Sequence, residues 1–263
     1  MTTTSPTKPD AILDELVARL RHCQRLLFIT GAGLSADSGL PTYRGIGGLY
    51  NDRHTDEELP IELALSGEML FRQPAITWKY IAQIEAACRG ADCNPAHRVI
   101  AALQDHFEVW VLTQNVDGLH RRAGSRNLIE IHGDIHELRC THCPYQTRVS
   151  DYATLQIPPH CPDCGQLVRP RIVLFGEYLP EGPVAALYQQ LGEGFDMVFS
   201  IGTTSVFPYI AAPVLEAARV GIPTVEINPG VTQVSNTVEY RIQHTAAASL
   251  QALETRWRTL SSG

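Results

Sequence analysis

The sequence predicts an α/β fold with a doubly wound parallel sheet, because short apolar runs alternate with helical patterns along its 263 residues. Most of these runs are continuously apolar, which is typical of strands buried on both faces of a parallel sheet. A glycine-rich turn follows the first run, where such folds often bind phosphate groups. We therefore expect a ligand cleft at the carboxyl edge of this sheet.

The predicted strands are apolar runs that end in polar or glycine-containing turns, at residues 25–30, 107–113, 127–131, 171–175, 197–201 and 223–227. Helical spacing of apolar residues predicts helices at residues 10–23, 94–106, 208–220 and 246–257. The second helix begins with favourable residues, since Asn94 can serve as its N-cap and Pro95 can occupy its first position.

Two stretches interrupt this alternation. Residues 46–92 carry helical patterns, and residues 138–170 contain four cysteines, several prolines and little periodicity. We expect these two insertions to pack together as a smaller domain. The larger domain is then discontinuous and consists of residues 10–45, 93–137 and 171–260. The polar residues 1–9 are expected to form a disordered tail.

The composition excludes several classes of protein. The formal net charge is −7 and there is no long basic run, so direct nucleic-acid binding is not expected. No apolar run approaches the ~20 residues that span a bilayer. The N-terminus has no apolar segment typical of a secretory signal. We expect a cytoplasmic protein without a membrane partner, and these observations leave its oligomeric state open.

Gly31, Gly33 and Ala36 match the pattern G-x-G-x-x-G/A directly after the first predicted strand. The first glycine permits a tight turn, the second lets the backbone approach a pyrophosphate, and the small third residue allows close helix packing. Dehydrogenases add an acidic residue about 20 positions later, at the end of a second strand. Residues 51–59 read instead as loop and helix, which disfavours an ordinary dehydrogenase site.

Four of the seven cysteines have the spacing of a structural zinc site. Cys140 and Cys143 form one C-x₂-C pair, Cys161 and Cys164 form another, and 17 residues separate the pairs. Four thiolates close a tetrahedral shell, so the metal would stabilise the fold and leave no position for substrate. His142 could compete as a ligand, although the four cysteines suffice. The remaining cysteines are expected to be free thiols.

Polar side chains follow several predicted strands, at the edge where open α/β sheets bind ligands. These residues are Gln114, Asn115, Asp117, His132, Gly202, Thr203, Ser205 and Asn228. Each alone could be a helix cap or a turn residue, but their shared position favours a site. His132 is the candidate for proton transfer, because imidazole titrates near neutral pH and Gly133 permits close approach. His97 and His120 lie within or beside helical patterns, where a structural role is expected.

Taken together, these motifs resemble the sirtuin family of NAD-dependent protein deacylases. The matching pieces stand in family order and extend from about residue 24 to residue 250: GAGLSADSGLPTYR, TQNVDGLH, IEIHG, CTHC with CPDC, RPRIVLFGEYLP, SIGTTSVFPYIAAP and INPG. The resemblance implies a Rossmann-like doubly wound sheet with a smaller domain made of a zinc module and a helical insertion. NAD and an acyl-lysine peptide or protein would enter the cleft between the domains from different sides.

The resemblance also implies roles for individual residues. His132 would be the general base that activates a ribose hydroxyl, and Asn115 would share the catalytic site. NAD would contact Gly31, Ala32, Gly33, Ser35, Tyr43, Arg44, Gln114, Asn115, Val116, Asp117, Gly202, Thr203, Ser205, Asn228 and Ala246. A substrate peptide would add as a strand along Val173, Phe175, Gly176 and Glu177. The products would be free lysine, nicotinamide and O-acyl-ADP-ribose.

Residues of the helical insertion predict which acyl group the protein would remove. Relatives that remove succinyl or malonyl groups place a tyrosine and, three residues later, an arginine on a helix, and this arginine pairs with the acyl carboxylate. The corresponding positions here are Ile81 and Ile84, which would suit acetyl or longer apolar acyl groups. A shifted alignment would place Tyr80 in the pocket instead.

Two other functions use the same NAD pocket. The chain could be an NAD hydrolase or ADP-ribosyltransferase, or a non-catalytic NAD-sensing module. The peptide edge and the zinc knuckles favour deacylation over ADP-ribosyl transfer without excluding it. The presence of Asn115, Asp117 and His132 together argues against a module without catalytic activity.

Overall fold

A computed structural model describes residues 9–42 and 55–261 of the chain. Its strands are β1 (Arg25–Thr30), β2 (Glu108–Thr113), β3 (Asn127–Glu130), β4 (Gly133–Cys140), β5 (Gln146–Arg148), β6 (Val168–Ile172), β7 (Met197–Ile201), β8 (Thr224–Ile227) and β9 (Tyr240–Ile242). Its α-helices are α1 (Pro9–Leu20), α2 (Ala32–Ser35), α3 (Ile61–Ala64), α4 (Gly67–Arg72), α5 (Pro74–Cys88), α6 (Pro95–Ala102), α7 (Leu119–Arg122), α8 (Glu181–Glu193), α9 (Pro208–Arg219) and α10 (Ala246–Ser261). Short 3₁₀ turns follow α2 and α6, at Ala36–Ser38 and Leu103–Asp105.

The larger sheet has six strands in the order β3-β2-β1-β7-β8-β9, and every neighbouring pair is parallel. Alternate residues of β1 face opposite sides. Leu26 and Phe28 pack with α1, α6 and α10, whereas Leu27 and Ile29 pack with α8 and α9. Helices therefore cover both faces, which confirms the doubly wound parallel sheet predicted from the continuous apolar runs.

The second sheet has three antiparallel strands in the order β5-β4-β6. Its core joins the two sequence insertions, because Trp78 and Ile81 of α5 pack with Leu138 of β4 and Val168 of β6. The indole of Trp78 donates a hydrogen bond to the carbonyl of Val168 at 3.0 Å. The sheet begins at Gly133, inside the range predicted for the larger domain. The domain boundaries themselves stay a prediction.

One predicted strand is wrong in both position and partner. The run 171–175 was expected in the parallel sheet, but the strand is Val168–Ile172 and it pairs antiparallel with β4. An apolar sequence predicts that a segment is buried, but it does not predict which sheet the segment joins. Here the last residues of the apolar run lie beyond the end of the strand. The helix Glu181–Glu193 and the short edge strand Tyr240–Ile242 were not predicted.

The ends of the other elements agree closely with the sequence. Asn94 is the N-cap of α6, and its side chain accepts hydrogen bonds from the backbone of Ala96 at 2.9 Å and His97 at 3.4 Å. Pro9 already belongs to α1, and the rest of the predicted tail, residues 1–8, lies outside the described residues. Within the described ranges, no helix has the length and apolar character needed to cross a membrane.

Candidate active site

A cavity of about 1080 Å³ lies at the carboxyl edge of the parallel sheet. This volume slightly exceeds the usual range for pockets that bind small molecules. Its lining combines the turns after β1, β2, β3, β7 and β8 with the segment after β6: Gly31, Ala32, Gly33, Gln114, Asn115, Val116, His132, Val173, Phe175, Gly176, Glu177, Gly202, Thr203 and Asn228. The structure thus brings most of the predicted NAD and peptide residues to one cavity.

The turn after β1 packs directly on the turn after β7. The amide of Gly33 donates a 2.8 Å hydrogen bond to the carbonyl of Gly202, and that of Gly31 donates one to Ile201 at 3.1 Å. A Cβ atom on Gly33 would lie 2.7 Å from the Cα atom of Gly202. Gly202 itself has a φ of +60°, which favours glycine. The close packing of the two turns is therefore enough to require a glycine at position 33, independently of any ligand.

His132 follows β3 and projects into the cavity. Its Nδ1 lies 3.1 Å from the carbonyl oxygen of Gln114, and its Nε2 lies 2.7 Å from the hydroxyl of Tyr209. Burial lowers the pKa of His132 to about 4, while the hydrogen bond to Gln114 acts in the opposite direction. At neutral pH this imidazole is therefore neutral and can accept a proton.

The residue after His132 must be glycine for a steric reason. Gly133 has a φ of +85°, and a Cβ atom there would lie 1.8 Å from the carbonyl oxygen of Arg171. The carbonyl of His132 also accepts a hydrogen bond from Val173 at 2.9 Å. The backbone of the candidate base is thus fixed against the segment that follows β6.

Asn115 lies on the floor of the cavity within a chain of hydrogen bonds. Its Nδ2 donates to the carbonyl of Gly31 and to Oγ of Ser35, both at 3.1 Å. Ser35 in turn donates to the carboxylate of Asp117 at 2.8 Å. Burial raises the pKa of Asp117. Asn115, Ser35, Asp117 and Ile84 also line an adjoining pocket of about 20 Å³. Asn115 therefore lies between the two cavities.

The far end of the cavity is formed by the turns after β7 and β8. Gln114 donates to Oγ1 of Thr203 at 2.8 Å, and Asn228 donates to the carbonyl of Thr203 at 3.0 Å. Buried Glu226 fixes the following loop, since it accepts hydrogen bonds from Ser235 at 2.7 Å and Arg241 at 3.1 Å. Prediction from sequence missed Glu226, which read only as part of a strand.

Two predicted NAD contacts lie behind this wall. Ser205 is only 2% exposed, and its Oγ lies 3.4 Å from Oγ of Ser200. Ala246 is the first residue of α10 and belongs to the core. Thr204 and Val206, the neighbours of Ser205, line the cavity in its place, and so does Thr245 before Ala246. Tyr43 and Arg44, also predicted to contact NAD, lie outside the described residues.

The predicted peptide edge already has a partner on one side. Phe175 donates to the carbonyl of Leu65 at 3.0 Å and accepts from Gly67 at 3.1 Å, so it pairs with the segment between α3 and α4. The carboxylate of Glu177 accepts hydrogen bonds from Arg169 at 2.5 Å and 2.9 Å. It also accepts one from the amide of Leu174 at 2.9 Å. Glu177 therefore holds the shape of the segment in addition to lining the cavity.

Only one of the two predicted acyl contacts reaches the cavity. Ile84 lines it, whereas Ile81 is fully buried in the core around Trp78. The two side chains lie about 60° apart around α5, and Ile81 is on the side that packs against the second sheet. Tyr80 also points elsewhere, because its hydroxyl donates to the carboxylate of Glu57 and accepts from the amide of Asp56 at 3.1 Å.

The four predicted zinc ligands converge. Their sulfur atoms all lie within 4.8 Å of one another, with Cys140–Cys164 and Cys143–Cys161 sulfur distances of 3.5 Å each. Zn–S bonds of about 2.3 Å in a tetrahedron place sulfur atoms roughly 3.8 Å apart, so this donor set fits zinc. Among the described residues, the imidazole of His142 is not part of the cluster. Four thiolates leave no open position, as expected for a structural site.

Tyr209 is the main cavity residue that the sequence did not reveal. It is the second residue of α9, after Pro208, and its hydroxyl contacts the candidate base. An aromatic pair around a proline, Phe207 and Tyr209, follows the polar residues after β7. That pattern could have indicated a wall of the site, but it does not indicate contact with a histidine 77 residues away.

Comparison with known proteins gives a consistent result. The model of the Sir2 family matches residues 31–208. The "NAD-dependent protein deacylase 2" of Pseudomonas aeruginosa is 53% identical over 227 residues, which is 85% of this chain and 88% of the relative. The protein with the same name from Pseudomonas syringae pv. tomato is 52% identical over 237 residues, covering 89% of this chain and 95% of the relative.

Solved structures give the same result. A Sir2 homologue in complex with ADP-ribose superposes with a TM-score of 0.86 at 32% identity and covers 94% of this chain and 97% of the other. A Sir2 variant with a deacetylated p53 peptide and 3′-O-acetyl ADP-ribose superposes with a TM-score of 0.82 at 26% identity, covering 92% of this chain and 97% of the other.

Proposed function

Because this chain belongs to the Sir2 family, we propose that it is an NAD-dependent protein lysine deacylase that transfers the acyl group to ADP-ribose and releases nicotinamide. One observation carries the chemistry. A buried, neutral imidazole, that of His132, lies in a cavity shared by the glycine-rich turn and the predicted peptide edge. A base, a nucleotide-binding turn and a peptide edge are the parts that such a reaction requires.

NAD supplies the ADP-ribose that accepts the acyl group. The turn at Gly31 and Gly33 forms one wall of its proposed site, and the Thr203–Asn228 pair forms the other end. Asn115 is held by Gly31 and Ser35, and it would orient the ligand at the junction with the small pocket. Ser205 and Ala246 would contribute by supporting the wall, because both are buried behind it.

His132 would accept a proton at Nε2 and carry positive charge briefly. Its Nδ1 faces the carbonyl oxygen of Gln114 at 3.1 Å, so an N–H donor there is already paired when the ring becomes charged. Burial keeps the free imidazole neutral and able to act as a base. The surrounding cavity walls would exclude water from the reacting groups.

We expect the acyl-lysine peptide to add along residues 173–177. Phe175 is paired on one edge with Leu65 and Gly67, so a substrate strand would approach the other edge. Gly176 lines the cavity, and its backbone makes no hydrogen bond within the described ranges. Its N–H and C=O groups are therefore available to a substrate strand.

Acetyl or longer apolar acyl groups are the proposed substrates. Leu65, Ile84 and Val116 bring apolar side chains to the cavity. Among the lining residues that the structure describes there is no arginine or lysine. A succinyl or malonyl carboxylate would therefore be buried there without a cationic partner, which is costly. A cytoplasmic location and the absence of nucleic-acid partners stay predictions.

The proposal is tested with the purified protein, NAD and an acetyl-lysine peptide, followed by mass spectrometry. We expect O-acetyl-ADP-ribose to form in step with deacetylated peptide. Free ADP-ribose formed without dependence on peptide would instead indicate an NAD hydrolase, and transfer of ADP-ribose to protein would indicate a transferase. No consumption of NAD with any acyl peptide would contradict all three activities. Higher turnover with succinyl-lysine than with acetyl- or butyryl-lysine peptides would refute the acyl assignment.

His132→Ala should lower turnover by roughly 10²-fold or more, the usual cost of removing a general base. His22→Ala is the matched control, because His22 lies exposed just after α1 and is not among the residues that line the cavity. Thermal unfolding of both variants should remain cooperative. Near-normal turnover in folded His132→Ala protein would remove His132 from the mechanism.

A further inference from the structure

Tyr209 occupies the position next to His132 where a substrate hydroxyl would be expected. Its hydroxyl lies 2.7 Å from Nε2 of His132. The two rings meet edge to face, with centroids 5.9 Å apart and planes at 81°. Phe207 stacks on the tyrosine ring at 5.5 Å and 13°, and it also meets His132 edge to face at 6.0 Å. All three side chains line the large cavity.

The hydrogen-bond partners determine where the protons lie. Nδ1 of His132 faces the carbonyl of Gln114, which can only accept, so Nδ1 carries the hydrogen of the neutral ring. Nε2 then has a lone pair, and the hydroxyl of Tyr209 donates to it. Burial raises the pKa of Tyr209 to about 12, so this hydroxyl keeps its proton at neutral pH. The basic nitrogen is therefore covered by Tyr209.

We propose that Tyr209 is a further catalytic residue, which relays a proton from the ribose hydroxyl of the co-substrate to Nε2 of His132. This inference rests on the proposed function. The ribose O–H bond breaks and its proton bonds to the oxygen of Tyr209, while the Tyr209 O–H bond breaks and its proton bonds to Nε2. Before this step the acyl oxygen has bonded to C1′ of the ribose, and the bond from C1′ to nicotinamide has broken. The ribose oxygen keeps its electron pair and bonds to the acyl carbon, while the C=N π bond of the resulting imidate breaks and its electron pair moves to the lysine nitrogen. Tyr209 ends neutral, and the positive charge resides on His132, whose Nδ1–H faces Gln114.

The packing around Tyr209 favours a proton relay through its hydroxyl over a mechanism in which the side chain moves away from His132. Tyr209 lies in the first turn of α9, directly after Pro208, whose ring restricts its own backbone torsion. Phe207 covers one face of the tyrosine ring, and the edge of His132 meets it from another side. The hydroxyl is therefore held at the base, and its lone pairs remain able to accept from a hydroxyl in the cavity.

Tyr209→Phe removes only the relay oxygen. We expect kcat for O-acetyl-ADP-ribose formation to fall about 10-fold or more, a smaller loss than that caused by removing the base itself. The KM values for NAD and for peptide should change less than about 2-fold, because the ring and its packing stay. Exchange of labelled nicotinamide into NAD should be retained, since nicotinamide leaves before the ribose hydroxyl is activated.

A second measurement needs neither NAD nor peptide. NMR of the unliganded protein with isotope-labelled histidine should show His132 protonated at Nδ1, with Nε2 accepting a hydrogen bond. In Tyr209→Phe the chemical shift of Nε2 should move towards that of an imidazole nitrogen whose lone pair accepts no hydrogen bond. The chemical shift of Nδ1 should stay unchanged. An unchanged Nε2 resonance would show that Tyr209 does not contact the base in solution and would overturn the proposal.

Tyr240→Phe is the matched control. Tyr240 is buried and Tyr209 partly buried, and the hydroxyl of Tyr240 also makes a 2.7 Å hydrogen bond, but to Glu15 of α1. This variant should keep the turnover of the wild type. If Tyr209→Phe matches or exceeds wild-type turnover, Tyr209 merely covers the base and the relay is wrong. If the wild type itself forms no O-acetyl-ADP-ribose, it is the proposed function that fails.

Discussion

The two sheets that enclose the cavity are stabilised in different ways. In the parallel sheet, every residue of β7 and β8 is buried. The stacked rings of Phe28 and Phe199, with centroids 4.5 Å apart, link β1 to β7 at its centre. Helices cover both faces, so this sheet gains most of its stability from apolar burial.

The three-stranded sheet has much less apolar area to bury. The strand β5 is only three residues long, and two of these are exposed. Here four cysteines bring the end of β4 together with the segment before β6, and Arg148 pairs with buried Asp134 at 2.7 Å. Arg169 and Glu177 form a further ion pair beside the peptide edge. Metal ligation and charge pairing therefore replace part of the apolar core.

The two sheets support the proposed sites of two different ligands, NAD and the substrate peptide. The wall proposed to contact NAD rests mainly on the parallel sheet, whereas the segment expected to bind peptide is fixed by the smaller sheet and by Arg169. Perturbing metal or charge should therefore affect peptide binding before NAD binding. Perturbing the buried groups of the parallel sheet should affect the whole protein.

Removal of zinc should have the largest effect. Structural zinc sites contribute about 10 kcal/mol or more of apparent folding energy, so chelation or Cys161→Ser should unfold the smaller sheet. Trp78 reports on this core, because it is fully buried and its ring lies 5.6 Å from that of Tyr152. In a Trp110→Phe, Trp257→Phe background, the fluorescence of Trp78 should shift towards that of an exposed indole.

Cys23→Ser provides the control for this experiment, since Cys23 lies far from the cluster, beside the parallel sheet. It should leave both the zinc content and the Trp78 emission unchanged. Circular dichroism should retain most of the helical signal after chelation, because α1, α6, α9 and α10 pack on the parallel sheet. Unaltered Trp78 emission in metal-free protein would show that the smaller sheet does not depend on zinc.

The same contrast explains what the sequence could predict. Five of the six strands of the parallel sheet were predicted to within a residue or two, because a strand buried on both faces has a continuous apolar sequence. The strand Val168–Ile172 was misplaced, since its run of apolar residues extends beyond the strand into the cavity wall. The three-residue strand Tyr240–Ile242 is too short, and too polar at Arg241, to show a pattern.

The candidate site was predictable where residues follow strand ends. Gln114, Asn115 and His132 were found in this way, and the cysteine spacing predicted a cluster that the structure brings together. Contacts across long sequence separations were not predictable. The inward rotation of Ile81 depends on how α5 docks on the second sheet, and the contact of Tyr209 with His132 depends on how α9 starts after β7.

Acid should weaken the apolar sheet through two buried histidines. His97 and His120 lie with ring centroids 5.0 Å apart, and within the described residues the Nδ1 atom of each has no partner. Burial lowers the pKa of His97 to about 4 and that of His120 to about 3. The unfolded value is near 6.5, so between about pH 6.5 and pH 4 the unfolded chain binds more protons. The free energy of unfolding must then fall as the pH falls through this window.

His97→Gln isolates one of these histidines. Its loss of stability between about pH 7 and pH 4 should be smaller than that of the wild type by about 3 kcal/mol, from the shift of about 2.5 pKa units. Urea unfolding at several pH values measures this difference. Zinc release in acid is common to both proteins and cancels in the comparison. Parallel pH profiles for the two proteins would mean that His97 is not held neutral by burial.

The smallest expected effect concerns the ion pair beside the peptide edge. Arg169 is nearly buried, with its side chain 9% exposed, and it donates to Glu177 and to the carbonyl of Ile172 at 2.9 Å. Arg169→Met should cost about 2 kcal/mol, less than a fully buried pair because Glu177 is partly solvated. The KM for peptide should rise several-fold, while the KM for NAD should stay within about 2-fold, because Arg169 supports only the peptide wall.

A second substitution separates the charge from the packing. Adding Glu177→Gln to Arg169→Met removes the unpaired carboxylate, so part of the lost stability should return in the double variant. Arg219→Met is the matched control, since its pair with Glu216 is largely exposed and should contribute less than about 1 kcal/mol. If the peptide KM of the double variant also returns towards wild type, the charge was the cause. If it stays high while stability returns, the hydrogen bonds of Arg169 to the backbone shape the edge that the peptide meets.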